Sequence, residues 1–278
     1  MKDVNKNLLW RIVSALVLAP PLVLAVIWKD PTAVAIIVHV AAFIALLEFY
    51  WIVLRDDPIW IRITGGCVGV TVSVMMYWLP KRPDALMALL IFATLVSAIL
   101  FLIRLSDVRS AATSMALMVF GVIYVPVLLT CLALIKRMPD GGFWVLMILT
   151  ITFGSDTGAY AAGRAFGKRK LYPSVSPGKT VEGAIGGLLT AFGCAVLAKF
   201  WYLPRLSWAD VVFISIPGGA LGQIGDLVES MIKRAYGVKD SGRIIPGHGG
   251  LLDRIDALLF VSAHVYLYAR NVVYGWGA

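Results

Sequence analysis

Long runs of apolar residues, separated by short polar connections, make up most of the chain. Each run is close to the roughly 20 residues that an α-helix needs to cross the hydrocarbon core of a bilayer. Most connections contain Pro, Asp, Lys or Arg, which commonly mark the ends of apolar helices. The pattern therefore predicts an all-α polytopic membrane protein with about nine transmembrane helices: residues 8–27, 33–54, 59–79, 84–103, 110–135, 143–163, 181–202, 208–226 and 252–275.

The overall composition agrees with a membrane protein. Of the 278 residues, 60% are hydrophobic and 15% are charged, whereas soluble domains are about 45–50% apolar and about 25% charged. A soluble globular protein, a disordered chain and a collagen-like rod are thereby excluded, and 3 cysteines are too few for a disulfide scaffold. In a membrane protein the net charge of +9 is explained by Lys and Arg in the loops that flank the bilayer. We therefore expect no nucleic-acid partner.

The distribution of these cations predicts the orientation. With a cytoplasmic N-terminus, about twice as many of the 25 Lys and Arg residues lie on the cytoplasmic side as on the other, which is the usual bias of short cytoplasmic loops. Both strongly basic loops then lie on that face. Residues 1–150 are interpreted as N-terminal transmembrane helices, and residues 151–278 as a C-terminal catalytic transmembrane region that contains both loops.

Asp156 lies inside an otherwise apolar span, where a charge costs about 2.5–3.5 kcal/mol on insertion scales. Such a carboxylate usually faces a bundle interior or a water-filled cavity, either paired with a Lys or Arg or as part of a site. Gly154 and Gly158 stand four residues apart and predict close packing against another helix. By contrast, Glu48 and His39 in the second span are interpreted as buried, hydrogen-bonded packing residues.

A second polar segment runs from Ser174 to Gly183, after a basic cluster. Pro177-Gly178 predicts a turn, and Lys179 and Thr180 stand where the next helix begins. Backbone N–H groups at a helix start, together with a hydroxyl and an ammonium group, suit a phosphate. An ordinary basic cytoplasmic loop remains the alternative.

The third segment contains two pairs of carboxylates. Asp226 and Glu229 would share a helical face at the end of the eighth span, and Asp253 and Asp256 would do so at the start of the ninth. Two antiparallel helices would bring both pairs together at the cytoplasmic membrane boundary. Carboxylates without cysteine favour a hard divalent ion, Mg²⁺ or Mn²⁺, over zinc. A salt-bridged loop between the two helices is the alternative. Five nearby cations would balance the charge of a polyphosphate: Lys233, Arg234, Lys239, Arg243 and Arg254.

The 27 positions from Ser230 to Asp256 resemble the signature of the phosphatidate cytidylyltransferases, also called CDP-diacylglycerol synthases. Two further stretches, Asp156 to Arg164 and Ser176 to Gly183, resemble accessory motifs of that family. The resemblance covers roughly residues 150–260. The matching signature residues are Ser230, Ile232, Lys233, Arg234, Lys239, Asp240, Gly242, Ile245, Pro246, His248, Gly249, Gly250, Leu251, Asp253, Arg254, Ile255 and Asp256.

This resemblance implies transfer of the cytidylyl group of CTP to phosphatidic acid, giving CDP-diacylglycerol and pyrophosphate. It implies that Asp226 and Asp253 hold Mg²⁺, and it leaves a second cation open. Lys233, Arg234 and Arg254 are then expected at the CTP phosphates or the leaving pyrophosphate, and His248 in hydrogen bonding or positioning. The expected substrate-binding residues are Ser176, Lys179, Thr180, Lys239, Asp156, Glu229 and Asp256. The resemblance also implies a homodimer among membrane lipids.

Two other functions share some of these features. A transporter would also use intramembrane carboxylates and glycine-rich helices, but typically in two repeated halves. A CTP-dependent lipid kinase would share the membrane setting and the metal, would release CDP in place of pyrophosphate, and should lack the long signature. The compact chain, without long soluble extensions, favours a bacterial plasma membrane with the active site facing the cytoplasm, and the membrane of an organelle is the alternative.

Overall fold

The computed structural model describes residues 20–80, 83–104, 107–244 and 249–275. In those ranges the chain is helical apart from one hairpin of two antiparallel strands. The α-helices are α1 (residues 20–27), α2 (Thr32–Val53), α3 (Ile59–Trp78), α4 (Pro83–Ile103), α5 (Val108–Val122), α6 (Leu128–Lys136), α7 (Gly141–Phe166), α8 (Val181–Trp201), α9 (Trp208–Ala235) and α10 (Leu252–Tyr268). The strands are β1 (Lys170–Tyr172) and β2 (Ser176–Thr180), and π-helical turns occupy Ile123–Val127 and Ala269–Val273.

Seven helical segments of the described chain are long and apolar enough to cross a membrane. They confirm the predicted all-α polytopic fold. One of the seven, Val108–Lys136, consists of α5, a π turn and α6. Pro126 lies in that turn, where its missing N–H disturbs the regular hydrogen-bond ladder. The first predicted span falls mostly outside the described residues, and the ninth is the shorter α10 followed by a π turn.

The eighth predicted span, residues 208–226, is the first part of a longer helix, because α9 continues to Ala235. Its 28 residues give a helix about 42 Å long at 1.5 Å per residue, which exceeds the roughly 30 Å hydrocarbon core. Good helix formers and an i,i+4 ion pair between Glu229 and Lys233 favour helix in this polar segment. Asp226 therefore lies within a helix and not at its end.

The prediction of a turn at Pro177-Gly178 is wrong. Both residues lie in β2, and the hairpin turns at residues 173–175. In a two-stranded sheet each strand is an edge, so Pro177 can lack an N–H without removing a bond from a central ladder. The register pairs Lys170 with Thr180. The hairpin leads directly into α8, as expected for the start of that helix.

The chain folds into two compact units. In the described ranges, the first unit contains residues 20–23, Asp30–Leu134 and Asp240–Asp253. Its core includes Phe49 and Tyr50 of α2, both fully buried. The Tyr50 hydroxyl donates a hydrogen bond to the Met118 carbonyl at 2.7 Å, which ties α2 to α5.

The second unit contains Leu24–Lys29, Ile135–Lys239 and residues 254–275 of the described chain. Within this unit, the backbones of α7 and α8 approach each other closely at their glycines. Gly154 contacts the Cys194 thiol, Gly158 contacts Thr190, and Gly186 contacts Ala162. The close packing predicted from the glycine spacing in α7 is therefore confirmed, and α8 contributes glycines of its own.

Gly186→Ala tests this packing. A methyl group at Gly186 would overlap that of Ala162, which cannot rotate away, so we expect a loss of about 1–3 kcal/mol in unfolding free energy. Gly193→Ala in the same helix is the matched control, because no described atom lies within 4 Å of the added methyl. Thermal unfolding in detergent measures both. Equal melting temperatures for the two variants would contradict close packing at Gly186.

Candidate active site

Four predicted site residues of the second unit, contributed by four different elements, come together. Lys179 of β2 places its Nζ 2.6 Å from Oδ2 of Asp226 in α9. Asp156 of α7 interacts electrostatically with Asp226 and Lys179, and Asp256 of α10 interacts with Asp226 and Asp156. We call Asp156, Asp226 and Asp256 the carboxylate cluster. Lys179 is the cation that directly contacts it.

Glycine and capping residues position this cluster. Gly225 lies against the Asp256 carbonyl, where a β-carbon would come within 2.6 Å of the oxygen, so α9 and α10 approach closely beside Asp226. Thr180 caps α8, because its Oγ1 accepts a hydrogen bond from the Gly183 N–H at 3.1 Å. The cap fixes the point at which β2 passes into α8, and Lys179 immediately precedes it.

Glu182 holds the basic segment that precedes the hairpin. Its carboxylate accepts hydrogen bonds from the backbone N–H groups of Lys168 and Arg169 at 3.0 and 3.1 Å, and from Arg169 Nε at 3.2 Å. Glu182 lies in the stretch from Ser176 to Gly183 that resembles an accessory motif, but this role was not predicted. An acidic residue in the first turn of a helix, shortly after a basic cluster, was the available signal.

The cations at the end of α9 are engaged locally. Lys233 Nζ lies 2.6 Å from Glu229 Oε2, and the two side chains are only 11% and 3% exposed. Arg234 donates a hydrogen bond to the Val238 carbonyl at 3.4 Å. Lys239 and Arg254 are exposed, and Ser176 is half-buried in β2. His248 lies outside the described residues.

Asp253, in the first unit, organises the segment that leads into α10. Its Oδ2 accepts hydrogen bonds from the backbone N–H groups of Ser241 and Gly250, each at 2.9 Å. The same oxygen lies 3.0 Å from Ser241 Oγ. The carboxylate thus ties the backbone at Ser241 and at Gly250 to the first turn of α10. Because Asp226 belongs to the other unit, a metal ion shared by Asp226 and Asp253 stays a prediction.

Glu48 contacts the same segment from α2. Its buried carboxylate accepts a hydrogen bond from the Leu252 N–H at 2.8 Å, and its Oε2 lies 3.2 Å from Ser241 Oγ. The expectation of a buried, hydrogen-bonded residue is confirmed, but its position against the signature segment was missed. The signal was a carboxylate inside an apolar span, the same argument that singled out Asp156.

The donor chemistry of the carboxylate cluster suits a hard cation. Asp226 is a third exposed, and its second oxygen lies 3.4 Å from Ser230 Oγ. In the described chain no three His, Cys, Asp or Glu side chains already form a cage for a metal ion. Protein sites for Mg²⁺ commonly use only one or two carboxylates, with substrate phosphates and water completing the shell. Oxygen ligands of this kind therefore fit Mg²⁺ bound together with a nucleotide.

Comparison with known proteins identifies the family. Residues 9–272 match the model of the cytidylyltransferase family. The phosphatidate cytidylyltransferase of Bacillus subtilis strain 168 is 31% identical over 276 residues, covering 96% of this chain and 97% of the relative. The corresponding protein of Pseudomonas aeruginosa PAO1 is 32% identical over 278 residues, covering 96% and 98%.

A shorter, more similar stretch relates the chain to the phosphatidate cytidylyltransferase of Staphylococcus haemolyticus. It is 47% identical over 122 residues, 44% of this chain and 47% of the relative. The two nearly full-length matches and the family model agree with the signature between Ser230 and Asp256. The chain therefore belongs to the cytidylyltransferase family and, within it, to the phosphatidate cytidylyltransferases, which are nucleotidyltransferases of CDP-diacylglycerol synthesis.

Proposed function

We propose that this chain transfers the cytidylyl group of CTP to phosphatidic acid, forming CDP-diacylglycerol and pyrophosphate. The observation that carries the proposal is the ion pair between Lys179 and Asp226 beside Asp156 and Asp256, in a membrane protein of this family. A cation and several carboxylates in one place are what a metal-bound polyphosphate requires. The apolar helices provide the surroundings for a lipid substrate.

The reaction needs little acid–base chemistry from the protein. A phosphate oxygen of phosphatidic acid attacks the α-phosphorus of CTP, and the bond from that phosphorus to the bridging oxygen of the β-phosphate breaks. Pyrophosphate leaves with the electron pair of this bond. Because the attacking phosphate is already ionised at neutral pH, no general base is required. Positioning and charge neutralisation are then the main tasks of the side chains.

We assign the metal to Asp226 and Asp253. When bound, Mg²⁺ supplies neutralisation of phosphate charge and orients the nucleotide. A second cation remains part of the proposal. Lys179 forms an ion pair with Asp226 in the structure. Its ammonium group is therefore close enough to contact a phosphate of a nucleotide whose metal ion is bound by Asp226. Asp156 and Asp256 would tune the negative charge around that position.

The remaining roles follow the resemblance. Lys233, Arg234 and Arg254 would contact the CTP phosphates or the leaving pyrophosphate, and His248 would position a substrate by a hydrogen bond. Glu229 would act by holding Lys233, with which it is paired. The other substrate-binding residues are Ser176, Thr180 and Lys239.

We place the site at the cytoplasmic boundary of a bacterial plasma membrane. About 27 Å of α9 precede Asp226, nearly the thickness of the hydrocarbon core. CTP is cytoplasmic and phosphatidic acid lies in the bilayer, so a boundary position serves both substrates. Basic loops on that face would attract anionic lipid head groups by about 1 kcal/mol per cation. The relatives are bacterial, and we include a homodimer in the proposal.

The decisive experiment gives the purified protein phosphatidic acid, Mg²⁺ and CTP labelled in its α-phosphate. We expect label in a lipid product and an equal amount of pyrophosphate. Label released as CDP, with phosphate transferred to a lipid hydroxyl, would indicate a lipid kinase instead. Absence of a labelled lipid, under conditions in which the Bacillus subtilis relative forms one, would refute the proposed activity.

A further inference from the structure

Glu48 is a buried carboxylate in the C-terminal part of the apolar helix α2. Its side chain is 5% exposed. A carboxylate in such a position is unfavourable unless hydrogen bonds replace its hydration. Two groups supply these bonds, the Leu252 N–H and the Ser241 hydroxyl. Both belong to the signature segment, residues 230–256.

Two glycines of the signature segment fit against the same carboxylate. A methyl group at Gly242 would overlap Glu48 Oε1, and one at Gly250 would come within 2.7 Å of Oε2 and overlap the Ser241 hydroxyl. The backbone at Gly242 and Gly250 therefore lies directly against the Glu48 side chain. These contacts give a physical reason for small residues at both positions.

Ser241 connects Glu48 with Asp253. Its Oγ lies 3.2 Å from Glu48 Oε2 and 3.0 Å from Asp253 Oδ2, and it accepts a hydrogen bond from the Asp253 N–H at 3.3 Å. A hydroxyl has one proton, so at any moment it donates to only one of the two carboxylates. Leu252, whose N–H binds Glu48, is the residue before Asp253. Glu48 thus constrains Asp253 in two ways, through the Ser241 hydroxyl beside its carboxylate and through the backbone of the preceding residue, Leu252.

We propose that Glu48 is a positioning residue that holds the chain at Ser241 and at Leu252 and thereby sets the orientation of the Asp253 carboxylate. The proposal rests on the proposed function, in which Asp253 is a metal ligand. It gives a residue of the N-terminal spans a role in the reaction. Groups that hold metal ligands in this way typically change metal affinity or activity by about 10–100-fold when they are altered.

Glu48→Gln is the test variant, because it keeps the size of the side chain and replaces one accepting oxygen by an NH₂ group. Asp57→Asn is the matched control. Asp57 is also a buried carboxylate of the first unit, but its partners are Arg104 at 2.6 Å and Ser114 at 2.9 Å, far along the chain from the signature segment. Both variants remove one buried negative charge.

The first measurement is amide hydrogen exchange of the metal-free protein in detergent. We expect faster exchange at Ser241, Gly250 and Leu252 in Glu48→Gln, and unchanged exchange there in Asp57→Asn. The second is activity as a function of Mg²⁺. In Glu48→Gln we expect the half-activating Mg²⁺ concentration to rise about tenfold and kcat to fall about tenfold, with the KM for phosphatidic acid unchanged. Asp57→Asn should lower the melting temperature without either effect.

The outcomes separate the two proposals. An inactive wild-type protein would refute the proposed function, while hydrogen exchange would still show whether Glu48 holds the segment. An active wild type with the same Mg²⁺ dependence and exchange in Glu48→Gln would overturn the positioning role. If Glu48→Gln does not fold, Ser241→Ala replaces it, because it removes the shared hydroxyl and leaves both carboxylates in place. Normal Mg²⁺ dependence in that variant would equally overturn the role.

Discussion

Asp226→Asn is expected to lower turnover about a thousandfold while leaving the protein folded. A metal ion held by this carboxylate would contribute several kcal/mol to stabilising the charge that develops on the phosphates, and about 4 kcal/mol corresponds to a factor of about a thousand. The amide keeps an oxygen that can accept a hydrogen bond from Lys179, which lies 2.6 Å away in the wild type. The measurement is formation of labelled CDP-diacylglycerol per folded molecule, with thermal unfolding as the check on folding.

Asp210→Asn in the same helix is the control. Asp210 lies at the opposite end of α9, where it accepts hydrogen bonds from the Ser207 N–H at 2.7 Å and the Tyr268 hydroxyl at 2.8 Å. This variant should lose stability of about 1 kcal/mol, as other helix caps do, and retain turnover. Binding of Mn²⁺ followed by electron paramagnetic resonance gives a readout independent of activity. Unchanged turnover and unchanged Mn²⁺ binding in Asp226→Asn would remove Asp226 from the site.

Lys179→Met should reduce kcat/KM for CTP about a hundredfold. Removing one donor that is aimed at the charge developing in a transition state typically costs a factor of about 10²–10³. Lys179 also balances Asp226, so its loss leaves three neighbouring carboxylates with less countercharge. We expect weaker CTP binding as a result, measured by steady-state kinetics at saturating Mg²⁺.

Lys170→Met on the same hairpin makes the same change in charge. Lys170 is exposed and pairs through its backbone with Thr180. Its activity should stay within about twofold of the wild type, since an exposed charge is screened at physiological salt. Equal losses in Lys179→Met and Lys170→Met would show that only the general charge of the loop matters.

The membrane architecture was predictable because a span requires a long apolar run, and a run of that length has few other uses. The predicted boundaries of α2, α3 and α8 agree with the structure within one or two residues. Asp156 and Asp226 were predictable site candidates for a related reason, since a charge in or beside such a run needs a partner. The glycine spacing in α7 correctly indicated its close packing.

Other features depended on tertiary contacts that no local pattern contains. Residues 170–180 read as a loop with a turn at Pro177, yet they pair into a hairpin that Glu182 helps to hold at its base. The end of α9 could not be located from hydropathy, because the helix continues into polar sequence. Glu48 looked like a packing residue because its partners lie 193 and 204 residues away along the chain.

The sequence separation between Glu48 and Leu252 also has a consequence for biogenesis. α2 is synthesised and inserted early, whereas its hydrogen-bond partner emerges 204 residues later. Until then the Glu48 carboxylate must form hydrogen bonds with water or with other partners. This requirement favours a position near the membrane surface for this end of the newly inserted helix. The contact between Glu48 and Leu252 can form only after the chain has been synthesised as far as Leu252. On the proposed positioning role of Glu48, a nascent chain that stops before Leu252 is therefore expected to be inactive.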